Sequence, residues 1–257
     1  MVERENKGTK DRSTRKAPVF SVFVFEAIIL KEENIKKMEK MLQGWSYPQK
    51  LPKIFKGFFY RNDMRIEDDT YLLFSYENPA LHSIASVYYH EETKEFKLST
   101  QIGLTKFCRI EFIAPTLEIF ERRLDDLLEK LLAELCSFDP ASVSSIVYDK
   151  HILGWEYGKS LPTELEGFER FISSEKPLKI TNGSYIILDY SDFSIESGLL
   201  IYYNIFRDEF FGEARICGIP EINYLFDSHD LDELEIKLEH HLTQRLRDVR
   251  QKAVSQK

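Results

Sequence analysis

The chain repeats itself. Residues 42–58 read LQGWSYPQKLPKIFKGF and residues 152–168 read ILGWEYGKSLPTELEGF, with Gly, Trp, Tyr, Leu, Pro, Gly and Phe at matching positions. Downstream, residues 66–135 lie over residues 180–249 at a constant offset of about 114 residues. A repeat of this length constrains domain count, element order and fold class together. It predicts two tandem α+β units, each a helix, an antiparallel β-meander and a second helix. Each unit is expected in two layers, and the two units are expected to be related by an approximate two-fold. The boundaries follow from the alignment and from charge. A flexible basic tail covers 1–18, and the first unit covers 19–138 with an extra strand at 19–30. The second unit covers 139–250, and a flexible tail covers 251–257.

Each meander should open on a helix. In the first unit Ile35, Met38 and Leu42 fall at helical spacing. In the second, Asp139 is an N-cap and Pro140 takes the first helical position, for a helix reaching to about Leu153. Gly44 and Gly154 then stand where a left-handed C-cap belongs. Asn182-Gly183 predicts a two-residue hairpin, with Asp68-Asp69 in its place in the first unit. Phe96, Leu98, Thr100 and Ile102 alternate with Glu95, Lys97, Ser99 and Gln101. That alternation predicts a sheet with one buried and one solvated face. The last strand sets Cys108, Ile110 and Phe112 over Ile222, Tyr224 and Phe226, with Cys108 on the core side.

A long helix closes each unit. Thr116 caps the first, and Asp230 with Glu233 forms a capping box at the second. The apolar stripe of the first is broader, which predicts that it lies between the units and that the second lies on the surface.

Catalytic signatures are missing. Eleven glycines include no phosphate-binding loop, and neither HExxH nor GxSxG occurs. His240 and His241 are adjacent on a helix and diverge by about 100°. The acidic run from Asp227 to Glu233 suits a helix N-terminus without a metal. No catalytic residue, metal or cofactor is therefore assigned. Three widely spaced cysteines without a CxxC pair fit a reducing, cytoplasmic setting. The apolar run at 19–30 is interrupted by Glu26 and lacks a cleavage site, which argues against a signal peptide. No stretch approaches the length of a membrane span.

A net charge of −8 argues against nucleic acid as the partner, although the basic tails leave that reading open. Aromatic richness on an acidic chain favours a protein or peptide partner. The candidate binding residues are Trp45, Tyr47, Trp155 and Tyr157, an aromatic motif presented twice. The same residues read equally as core plugs just past a helix end. The expected function is a non-enzymatic, protein-binding role of the chaperone, adaptor or immunity-inhibitor kind, as a monomer or a dimer. The alternative is a small-ligand binder or enzyme with a site between the two repeats.

Overall fold

The computed structural model describes residues 36–62, 64–67 and 69–256; the apolar run at 19–30 lies outside them. By contacts the chain divides into Met1–Ser46 and Tyr47–Lys257. Within the first, residues 36–41 are helical. The amide of Trp45 donates to the Leu42 carbonyl at 2.9 Å, and Gly44 takes φ 80, the left-handed stop that the sequence predicts.

The second unit holds two antiparallel seven-stranded sheets and a few helices, an α+β architecture. After α1 (Tyr47–Lys50) come β1 (Ile54–Phe55), β2 (Phe58–Arg61), β3 (Arg65–Glu67) and β4 (Thr70–Asn78). The first sheet continues with β5 (Ser83–His90), β6 (Glu95–Ile102) and β7 (Thr105–Ala114), and α2 (Leu117–Glu134) closes it. Two short helices follow, α3 (Ser145–Asp149) and α4 (Glu156–Ser160). The second sheet holds β8 (Glu164–Leu165), β9 (Phe168–Ile172), β10 (Leu178–Lys179) and β11 (Ser184–Asp192). It is completed by β12 (Ser197–Asn204), β13 (Glu209–Ile216) and β14 (Ile219–Ser228), and α5 (Leu231–Ser255) ends the fold. Strand order is β1-β2-β4-β5-β6-β7 in one sheet and β14-β13-β12-β11-β9-β8 in the other, with β3 and β10 as side branches on β4 and β11.

The closing helices form as their sequences dictate. The Thr116 hydroxyl accepts the Ile119 amide, and the Asp230 carboxylate accepts the Glu233 amide at 2.8 Å. Phe120, Leu124, Leu128, Leu131 and Leu132 bury one face of α2, and Leu234, Leu238, Leu242, Leu246, Val249 and Ala253 bury one face of α5. The stripe of α5 does not stop at Val249. Ala253 carries it one turn further, so the helix runs through most of 251–257, where the sequence predicts a flexible tail.

Several expectations need correction. The helix predicted from Asp139 to about Leu153 is broken into a 3-10 turn at Pro140–Ser142, α3, and a second 3-10 turn at Ile152–Gly154. Val143 and Ser144 are extended between them. His151, at φ 56, takes the left-handed position expected of Gly154. The two-residue hairpin belongs to the first sheet, where Glu67 pairs with Thr70. In the second sheet the Ile180 amide bonds to the Ser184 carbonyl, leaving a three-residue loop with Gly183 at φ 74. The first closing helix is not sandwiched, since Glu118, Arg122, Asp126 and Lys130 are exposed.

Solvated sheet faces are the largest departure. Every residue of β12, and all of β11 but Asp192, is buried, so both faces of these strands are dry. One face carries Tyr185, Ile187, Tyr190, Leu199, Ile201 and Tyr203 against α5. The other carries Ile186, Leu200 and Tyr202, and it meets the first sheet. There the Gly103 turn lies against the Phe171 ring, and the His82 imidazole stacks on Phe193 at 3.8 Å between centroids. Arg215 donates from Nη1 to the Leu104 carbonyl, and Thr181 donates to the Cys108 carbonyl at 3.1 Å.

Candidate functional site

The repeated aromatic motif is buried or half-buried. Tyr47 is 4% exposed, and its hydroxyl donates to Asp125 Oδ1 on α2 at 2.9 Å. Burial and the Asp125 carboxylate both hold its pKa above the usual phenol range. Trp155 is 6% exposed in the core of the second sheet, and its indole N–H reaches Glu235 Oε2 on α5 at 3.4 Å. Tyr157 is half-buried beside it, 5.6 Å between ring centroids, and burial pushes its phenol up to about 12. Trp45 is half-buried in the N-terminal unit. Thus Trp155 and Tyr157 come together, while Tyr47 belongs to the other sheet's helix. Beside Tyr47 lies a cavity of about 150 Å³ walled by Phe55, Tyr76, Leu124 and Leu128.

Other polar candidates resolve into local bonds. Asp230 and Glu233 cap α5, and Lys237 bridges Glu233 to the Asp227 carbonyl. The Nδ1 of His240 lies 2.6 Å from the Ile236 carbonyl. Among the described residues no group of His, Cys, Asp or Glu could hold a metal ion, and no helix is long and apolar enough to cross a membrane. All three cysteines are unpaired and half-buried.

Between the sheets lies a polar joint that sequence reading missed. Asp189 is 0% exposed; its Oδ1 accepts the Ser191 hydroxyl at 2.5 Å, and its Oδ2 has no partner. Burial pushes its pKa up to about 7, against the opposing pull of Ser191 and of the Arg215 charge. Arg215 also donates to Glu213 at 2.8 Å, and the Tyr202 hydroxyl bonds to the same carboxylate at 3.2 Å. Complete burial closes Asp189 to a ligand from solution. The residue alternates as a polar strand position, and nothing local marks it as dry.

The edge strands β7 and β14 differ in what covers them. Along β7 the carbonyls are occupied: Thr181 donates to Cys108, and Arg123 on α2 donates to Glu111 at 3.1 Å and to Ile113. Along β14 the side-chain donors are Lys237 on the Asp227 carbonyl and Ser228 on the Phe226 carbonyl, both at the strand's C-terminal end. The strand also exposes apolar side chains: Ile219 is 67%, Ile222 70% and Tyr224 74% exposed. Register breaks explain why the periodicity misleads. The shift between Phe96 and Leu98 puts Cys108 opposite Ser99, off the core side that the alternation predicts, while Phe112 is fully buried. The shift between Phe210 and Gly212 likewise separates exposed Ile222 and Tyr224 from buried Phe226. Compared with protein-family models, with curated proteins and with solved structures, the chain matches none.

Proposed function

We propose that the protein is a non-enzymatic, cytoplasmic protein-binding module that takes an extended polypeptide onto the edge of β14. The carrying observation is the contrast between these edges: Arg123 and Thr181 donate to the carbonyls of β7, which exposes Ile110 alone among its large apolar residues, whereas β14 exposes Ile219, Ile222, Tyr224 and Leu225. Open apolar edges invite another chain, and natural sheets otherwise block them. Strand addition supplies affinity through the backbone and selectivity through alternate side chains. The unpaired cysteines are in keeping with a reducing compartment.

The same reading holds that the module arose by duplication, with units at 19–138 and 139–250 related by a pseudo-two-fold. Support comes from backbone details that no periodicity requires. Positive φ recurs at Lys56 and Glu166, at His82 and Glu196, at Lys94 and Asp208, and at Gly103 and Cys217. The Tyr76 hydroxyl bonds the Pro52 carbonyl, as Tyr190 bonds that of Pro162. Within this reading Tyr47, Trp155 and Tyr157 pack at the closing helices of their sheets.

A displayed library of extended peptides, selected against the full chain, tests the edge. Selected peptides are expected to slow amide exchange along β14 and to lose binding to Ile222→Lys. Binders that protect only other elements would refute the assignment.

A further inference from the structure

We infer that the cavity beside Tyr47 is a binding site for a small aromatic cation, an arylalkylamine whose ring enters the cavity and whose ammonium stays at the mouth. No residue of β14 lines it, so the site is separate from the edge proposed above. Tyr47 and Lys50 come from α1, Phe55 from β1, Tyr76 from β4, and Leu124 and Leu128 from α2. The volume is about 150 Å³. An apolar cavity of that size takes one benzene-sized ring.

The second sheet holds such a ring as part of its own chain. Trp155 belongs to the same buried cluster as Leu238 and Leu242, which align with Leu124 and Leu128 at the offset of the repeat. Its indole N–H reaches Glu235, which aligns with Glu121. An aromatic ring beside these leucines, with an N–H turned to a helix carboxylate, is therefore an arrangement that this framework already builds. In the first sheet the matching leucines border the cavity instead.

The mouth selects the charge. Asp125 and Glu129 are exposed lining residues one helical turn apart on α2, and Glu121 lies one turn before them. Against them stands Lys50, the one cation among the lining residues, with its Nζ 6.0 Å from the Tyr47 ring centroid. Burial, and then the Asp125 and Glu121 charges, hold the Tyr47 phenol above its ordinary range. Burial pushes Tyr76 up to about 12, with Tyr60 and the Glu129 charge adding to it. Both phenols thus feel a negative field at the cavity wall. An ammonium at the mouth donates charge-assisted hydrogen bonds to these carboxylates, and the aromatic walls attract a cation as well.

Calorimetric titration of the full chain with phenethylamine at neutral pH tests the site. Phenethyl alcohol replaces the ammonium with a neutral hydroxyl, phenylacetate replaces it with an anion, and propylamine keeps the ammonium without the ring. Phenethylamine is expected to bind more tightly than each of these by on the order of tenfold or more. The double variant Asp125→Asn, Glu129→Gln removes both charges and still leaves the Tyr47 hydroxyl an acceptor. It should bring phenethylamine down to the affinity of the alcohol and leave that of the alcohol unchanged. Leu128→Phe, with folding checked by circular dichroism, should weaken both by filling the cavity. No measurable binding of phenethylamine would overturn the assignment. Phenylacetate or propylamine binding as tightly would overturn it too, and so would full affinity for phenethylamine in the double variant.

Discussion

Asp189→Asn tests the inter-sheet joint. Burial moves this carboxyl from 3.8 to about 7 in the folded protein. Each pH unit of displacement corresponds to about 1.4 kcal/mol, so the full shift is worth roughly 4 kcal/mol. The folded-state pKa lies above the unfolded value, so the contribution is fully present below about pH 4 and is lost as pH rises through about 7. Asparagine resembles the protonated acid and can still accept the Ser191 hydroxyl, but it does not titrate. Urea unfolding of both proteins at pH 5 and pH 8 isolates this group, because other titrations cancel in the difference. Near pH 5 the variant should be the more stable by about 1–2 kcal/mol, and by pH 8 by on the order of 4 kcal/mol. Parallel stability profiles would refute the account of a neutral, dry carboxyl between the sheets.

Two further substitutions probe packing. A Cβ on Gly158 would stand 2.3 Å from the Trp155 ring, so Gly158→Ala should cost about 1–3 kcal/mol and shift tryptophan emission to the red. Unchanged emission and stability would place the indole elsewhere. Leu128 is 3% exposed and borders the cavity beside Tyr47, so Leu128→Ala enlarges an existing void; chemical denaturation should show a loss of about 2–5 kcal/mol.

Local rules predict what local forces build. Thr116 and Asp230 cap the closing helices because a side-chain oxygen three residues ahead of an orphan amide is a local matter. The strands follow the period-2 pattern for the same reason. What the pattern does not convey is which polar faces stay wet. Ser99 reads as a solvent-facing position, yet it is buried, as are the polar Asp189 and Ser191 of the facing sheet. Covering depends on contacts distant in sequence, such as Arg215 with Leu104, which no window contains. The candidate site escapes for a related reason. Tyr224 aligns with Ile110 as a core position, but it lies within the register break between Asn223 and Ser228, as the buried Phe226 does. Bulges change the face of every residue beyond them and leave little trace in composition.

Arg123 has one more consequence. Covering the β7 carbonyls at Glu111 and Ile113 leaves β14 the more open of these two edges among the described residues. A protein with two open edges can grow head to tail without limit, into fibres. With β7 covered, growth through this pair of edges stops after one pairing. Removing the guanidinium, as in Arg123→Ala, would therefore do more than loosen a helix from its strand: it would turn a chain terminator into a monomer competent to polymerise.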